Sequence, residues 1–199
     1  LIFATGNRHK LRELSALLPG VELEPLPDGV TLPPEDGESF AEIALEKARV
    51  AHRATGEAAV ADDSGIGAIC LGGRPGIHSA RYGGEGASDE ENLAKLLVEV
   101  AAAGDDRRAF YTCALAMIDE DGSEHVFEAR WDGVLIEEPR GSGGFGYDPA
   151  FVPDDTGPDD ERTASELSEE EKNAISHRGR AARMLAAHLA ARGAARTGR

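Results

Sequence analysis

The chain has 199 residues, 41% of them hydrophobic and 29% charged, enough for one substantial core or for two lobes sharing one. Its 21 Lys and Arg against 37 Asp and Glu give a net charge of −16, which excludes the basic groove of a general nucleic-acid binder. No stretch approaches the roughly 18 apolar residues of a membrane span, and a polyanionic substrate would have to be met by a few local cations and a metal on an otherwise repelling surface.

Leu1 to Thr5 reads as a buried strand and not a signal peptide, and with no initiator Met a few leading residues are expected to be missing. Gly6 and Asn7 then make a sharp turn. His9 to Leu18 has helical spacing, with Leu11, Leu14, Leu17 and Leu18 on one face and Pro19-Gly20 as the stop. A second strand over Val21 to Leu26 leads into a Pro-rich loop, Pro25 to Pro34. Ser39 to Arg53 is an amphipathic helix with a capping box of Ser39 and Glu42. Ala58 to Ala61 is an apolar strand running into Asp62-Asp63-Ser64-Gly65, and Gly72 to Gly76 is a turn.

Asn92 to Ala103 is a helix capped by Ser88, with Leu93, Leu96, Leu97 and Val100 inward. Two strands, Ala109 to Ile118 and His125 to Ile136, are joined by Asp119-Glu120-Asp121-Gly122 as a hairpin. Asp154 to Glu161 is an acidic, solvated loop, and Leu167 to Asn173 begins helical. Ser176 to Ala191 is a terminal helix with Ala182, Leu185 and Leu189 inward, followed by a frayed tail at 193–199. The mixture predicts an α/β fold with a mixed sheet and a pronounced hairpin. Cys70 and Cys113 read as two small buried hydrophobes in a reducing compartment. No Cys or His cluster has zinc-ligand spacing, which dismisses zinc.

Four segments carry chemistry that a core does not need. Thr5-Gly6-Asn7-Arg8-His9-Lys10 places a glycine turn before a helix N-terminus, where free amides and a lysine suit a phosphate; the plain alternative is Asn7 as helix cap. Lys47 lies in the second helix with Glu35 ahead of it, and taken singly is a solvent-facing lysine. Asp62 and Asp63, directly after a buried strand, fall at the carboxyl edge of a sheet, and with Glu35 would suit Mg²⁺; the plain alternative is a turn with Asp as its cap. Gly143-Gly144-Phe145-Gly146-Tyr147-Asp148-Pro149 frames aromatics and an acid with glycines, as a base-stacking loop or as a tight turn with a buried Phe. Lys172 and Ser176-His177-Arg178 put three potential donors around a further helix start, which taken alone reads as a capped surface helix.

Together the segments ATGNRHKLREL, ADDSG, LGGRPGIHSARY, GGFGYDPAF and ERTASELSEEEKNAISHRG, in that order, resemble the inosine triphosphatase family over nearly the whole chain. The resemblance implies a single domain over 1–192, an elongated central mixed sheet with helices, and two lobes flanking a nucleotide-binding cleft. It implies a cytoplasmic homodimer that hydrolyses ITP, dITP and XTP to the monophosphate and pyrophosphate with Mg²⁺. By the same resemblance Thr5, Gly6, Asn7, Arg8, His9 and Lys10 form the phosphate-binding turn, Asp63 and Glu35 hold the metal, and Asp63 is the general base. Lys47 acts on the phosphate side and Ser64 contacts substrate. Phe145, Gly146, Tyr147 and Asp148 form the base pocket, with Phe145 as the stacking ring, while Lys172, His177 and Arg178 hold the base and close the cleft. Two rivals remain at this level: a phosphatase with an aspartyl nucleophile, which usually wants its two acids one residue apart, and a nucleotide sensor without turnover.

Overall fold

The computed structural model describes residues 1–197, except for the side chains of Arg8 and of 194–197. Six strands form one mixed sheet in the order β2-β1-β3-β4-β5-β6. They are β1 (Ile2–Phe3), β2 (Glu24–Pro25), β3 (Ala59–Ala68), β4 (Arg108–Ile118), β5 (Glu124–Leu135) and β6 (Phe151–Pro153). β1 runs parallel to both β2 and β3, and β6 is antiparallel to β5. The helices are α1 (Arg8–Leu17), α2 (Phe40–Thr55), α3 (Asp89–Ala103), α4 (Glu169–Ile175) and α5 (His177–Thr197). No helix among the described residues is long and apolar enough to cross a membrane.

The chain divides into two compact units. The first comprises Leu1–Asp63, Cys113–Ala129 and Arg178–Arg199; the second comprises Ser64–Thr112 and Arg130–His177. In the first unit the two-residue period of a strand decides which helix each side chain meets. Phe3, Val60, Cys113, Leu115 and Met117 share an apolar cluster with Leu14 and Leu18 of the α1 region and Ala181, Ala182 and Leu185 of α5. Their strand neighbours Ile2, Ala4, Ala59, Ala61, Ala114 and Ala116 pack with Ala44, Ala48 and Ala51 of α2. In the second unit, Trp131, Phe151 and Tyr111 form the centre of a core that takes in Leu93, Leu96 and Val100 from α3.

Local signals in the sequence account for most element ends. Asn7 caps α1, its Oδ1 accepting from His9 N and Lys10 N. Ser88 and Ser168 each complete a full capping box, with Glu91 and Glu171. The box expected at Ser39 is half made: Ser39 Oγ accepts from Glu42 N, but the Glu42 carboxylate accepts from Glu38 N. Asp119 N donates to Ser123 O and Gly122 N to Asp119 O, closing the turn between β4 and β5. The terminal helix runs on through the expected frayed tail to Thr197, and 198–199 lie outside the described residues. Both cysteines are free, and burial pushes the Cys113 thiol up to about 12, so it packs as a hydrophobe.

One expectation about the sheet is corrected. The strand predicted to stop at Ala61 continues through Asp62-Asp63-Ser64-Gly65 to Ala68, so the two acids sit inside a strand and not beyond its edge. Gly65 looks like a turn residue but serves close packing: a Cβ there would stand 2.5 Å from Ser79 Oγ and 2.6 Å from Gly76 O. Ser79 Oγ in turn accepts from Ile66 N at 2.9 Å.

Candidate active site

Because Asp62 and Asp63 are consecutive in β3, they point to opposite faces of the sheet. Asp63 faces α2. Lys47 lies on the same helix face as Ala44, Ala48 and Ala51, and is buried with them instead of facing solvent. The small alanines keep α2 near the sheet, and Lys47 Nζ donates to Asp63 Oδ1 at 2.9 Å and to Glu35 Oε1. Burial raises the Asp63 pKa, against the lowering pull of Lys47. Burial acts to lower the Lys47 pKa, but Asp63 and Glu35 outweigh it and hold it above its ordinary value.

Asp62 faces the α1 and α5 side. Its Oδ2 lies 3.0 Å from Lys10 Nζ and 3.2 Å from Arg178 Nη2, and Arg178 Nη1 reaches Glu13 Oε2 at 2.5 Å. Burial would raise the Asp62 pKa, yet Lys10 and Arg178 hold it below the usual carboxylate value. The adjacent acids therefore need no shared cation between them, since each has its own.

Arg178, expected to hold the base, is 3% exposed, and its guanidinium pairs with the carboxylates of Glu13 and Asp62 in the first unit. Glu13 was not foreseen: in the sequence it is one more polar residue of α1, and its partner lies 165 positions away. In the turn that leads into α1, Asn7 N donates to Thr5 Oγ1 at 3.1 Å, and the exposed His9 pairs its Nδ1 with Arg12. The side chain of Arg8 lies outside the described residues. Gly6 has no positive φ, and a Cβ added to it would meet nothing within 4 Å, so the fold itself does not require glycine there.

The second unit holds the other cluster. Asp148, 3% exposed, accepts from Lys172 Nζ at 2.7 Å, from Phe145 N at 3.0 Å and from Tyr111 OH at 3.2 Å. Gly144 adopts φ +68, and a Cβ on it would stand 2.2 Å from Asp148 Oδ2, so the loop closes on that carboxylate only with glycine. Gly146 N donates to Asp89 Oδ2, tying the loop to the start of α3. Phe145 is half-buried, with the Lys172 ammonium 5.2 Å from its ring centroid.

Tyr147 turns into the core and donates its hydroxyl to Ser79 O. His177 is also buried, stacked on Tyr111 with centroids 4.6 Å apart and flanked by Trp131. Ser64 is half-buried in β3, the first residue of this unit. Tyr111 was missed because in a largely apolar, buried strand nothing marks it off from a core residue.

Asp63 and Glu35 suit a hard divalent ion. Lys47 draws one oxygen of each toward a single point, so both carboxylates lie within reach of a shared cation. The donors are all oxygen, which matches an ion that keeps waters and substrate oxygens as its other ligands.

Comparison with known proteins agrees with these motifs. The sequence profile of the Ham1 family matches residues 1–188. The dITP/XTP pyrophosphatase of Geobacter sulfurreducens is 46% identical over 195 residues, covering 95% of this chain and 96% of that protein. That of Escherichia coli (strain K12) is 46% identical over 191 residues, covering 93% and 95%. Among solved structures, a HAM1 protein from Coxiella burnetii superposes with a TM-score of 0.85 at 40% identity, covering 95% of this chain and 97% of that one. The Staphylococcus aureus Ham1 protein gives 0.85 at 34% identity, covering 96% and 98%. The chain belongs to the Ham1 family.

Proposed function

We propose that this chain is a magnesium-dependent pyrophosphatase that converts dITP, ITP and XTP to the nucleoside monophosphate and pyrophosphate. The observation that carries the reading is the group of buried Asp63 and Lys47 with the half-buried Glu35, found in a chain 46% identical over 95% of its length to a dITP/XTP pyrophosphatase. We assign phosphate chemistry to the first unit and base recognition to the loop of the second.

Mg²⁺ held by Asp63 and Glu35 would offset the charge of the triphosphate. Asp63 orients a water and takes its proton as the water attacks the α-phosphorus, and pyrophosphate leaves. Its burial suits it to that task, since a desolvated carboxylate holds a proton better than an exposed one. Lys47 and Lys10 place ammonium groups against the charge that grows on the leaving group. Lys10 is positioned for this by Asp62, which Arg178 fixes from α5. The open backbone at Gly6 gives a phosphate close access to the start of α1.

Phe145 stacks on the base, and Lys172, held by Asp148, donates to the 6-oxo group of hypoxanthine or xanthine. Adenine presents an amino donor at that place, and a buried donor facing a donor costs on the order of 1–3 kcal/mol. An aspartyl-nucleophile phosphatase would release phosphate instead of pyrophosphate, and a sensor would bind without turnover. Assaying both products from a nucleotide panel, with Mg²⁺ and with chelator, tests the reading. Pyrophosphate from dITP, ITP and XTP well above ATP, and only with Mg²⁺, is expected. Phosphate as the product, or turnover unaffected by chelation, overturns it. We also propose that the enzyme works as a homodimer in the cytoplasm. Light scattering giving a monomer mass at working concentration, or fractionation away from the soluble nucleotide pool, would refute this.

A further inference from the structure

Outside the catalytic cluster, the first unit gathers Asp119, His125 and His188, whose nearest ligand atoms all lie within 4.8 Å of one another. Asp119 opens the turn after β4 and is fully buried, His125 is the second residue of β5, and His188 projects from α5. His125 Nε2 stands 2.8 Å from Asp119 Oδ2, and the two imidazole centroids are 4.2 Å apart. Two buried atoms of this group have no hydrogen-bond partner: Asp119 Oδ1 and His188 Nε2. A buried carboxylate oxygen and a buried ring nitrogen left so are costly, and both are lone-pair donors.

We propose that Asp119, His125 and His188 bind a divalent transition-metal ion of the Zn²⁺ type. Two imidazoles and one carboxylate are the donor set that borderline-soft ions prefer over Mg²⁺. With bonds near 2.1 Å, donors on a tetrahedral ion stand about 3.4 Å apart, so the group, now within 4.8 Å, needs to contract by at most about 1.4 Å. Three protein ligands leave a fourth position for water. Arg192 contacts Asp119 Oδ2, with its side chain one-third exposed, so it can swing outward and leave the carboxylate to the ion. Bound there, the ion ties the β4–β5 turn to α5, the helix that carries Arg178. The spacing on which zinc was dismissed could not reveal this set: 63 positions separate the two histidines, and only the fold joins them.

The test is calorimetric titration of Zn²⁺ into the metal-stripped full chain in excess Mg²⁺, which keeps hard-ion sites filled. One ion per chain is expected, and at a hundred times Kd the melting temperature should rise by roughly 5–10 °C. His125→Gln and His188→Gln should each weaken binding on the order of a hundredfold while melting as cooperatively as the parent without zinc. Arg192→Ala should tighten it, since a competing cation leaves Asp119. Should a variant not fold, the six histidines of the unaltered chain serve instead: Zn²⁺ should shift the imidazole NMR signals of His125 and His188. Absence of saturable binding, affinity unchanged in both His variants, or shifts confined to the other four histidines would overturn the proposal.

Discussion

Asp62→Asn removes a charge that is 1% exposed and lies 3.0 Å from Lys10 Nζ and 3.2 Å from Arg178 Nη2. Shape is nearly conserved, so the cost is electrostatic. Lys10 retains some access to water, and Arg178, at 3% exposure, keeps Glu13. One buried cation is thus left half-compensated, which puts the loss near the lower end of the penalty for breaking a buried pair, about 3 kcal/mol. That is a large part of the roughly 5–15 kcal/mol that holds a domain folded. Urea unfolding should show a lower midpoint with unchanged slope. Adding Arg178→Met should recover at least about 1 kcal/mol, because the stranded charge goes too. The pH dependence has a definite sign. Asp62 has a lowered pKa when folded, so its contribution is present above the unfolded carboxylate pKa and is lost as pH falls through the folded one. The gap between parent and variant should therefore narrow on acidification. A loss under about 1 kcal/mol, additive with Arg178→Met, or a gap that widens in acid, would refute the reasoning.

Asp63→Asn should lower kcat on the order of 10²–10⁴-fold while the protein still folds, and near-normal kcat would remove Asp63 from the role of base. Because burial raises its pKa in the folded, metal-free protein, Asp63 costs the parent stability as pH rises through the carboxylate range, so in urea unfolding without added metal the Asn variant should gain stability relative to the parent between acid and neutral pH; a relative loss would refute this. Lys47→Ala should reduce kcat more than it raises KM, and a change in KM alone would assign it to ground-state binding. Phe145→Ala should weaken nucleotide binding by roughly 1–3 kcal/mol, measured by equilibrium titration, and unchanged affinity in a folded variant would return the ring to the core.

Elements with strong local grammar were legible in the sequence: the α1 leucines, the caps at Asn7, Ser39 and Ser88, and the turn at Asp119–Gly122. The site motifs were legible as motifs, yet their geometry was not. Nothing local says that β3 runs through two aspartates and two glycines, since Gly65 serves a contact with Ser79 supplied from elsewhere in the chain. Lys47 looked like a surface lysine because its burial depends on Asp63, 16 positions away. Arg178 and His177 are sequence neighbours, and one spacing suggested one role. In the structure the first pairs with Asp62 and Glu13, while the second stacks on Tyr111. Long-range charge pairing leaves no periodicity to read.

The two-sided placement of Asp62 and Asp63 also bears on how this gene can vary. Substitutions along β3 alter one face at a time, but loss or gain of a single codon between Ala59 and Asp62 would exchange the faces of both acids at once. Asp62 would meet Lys47 and Glu35, and Asp63 would be turned toward Lys10 and Arg178. Such a change leaves composition and charge almost untouched, so a survey of viable variants should find point substitutions here and an empty class of single-residue insertions and deletions. Length, more than chemistry, is what this strand has least freedom to change.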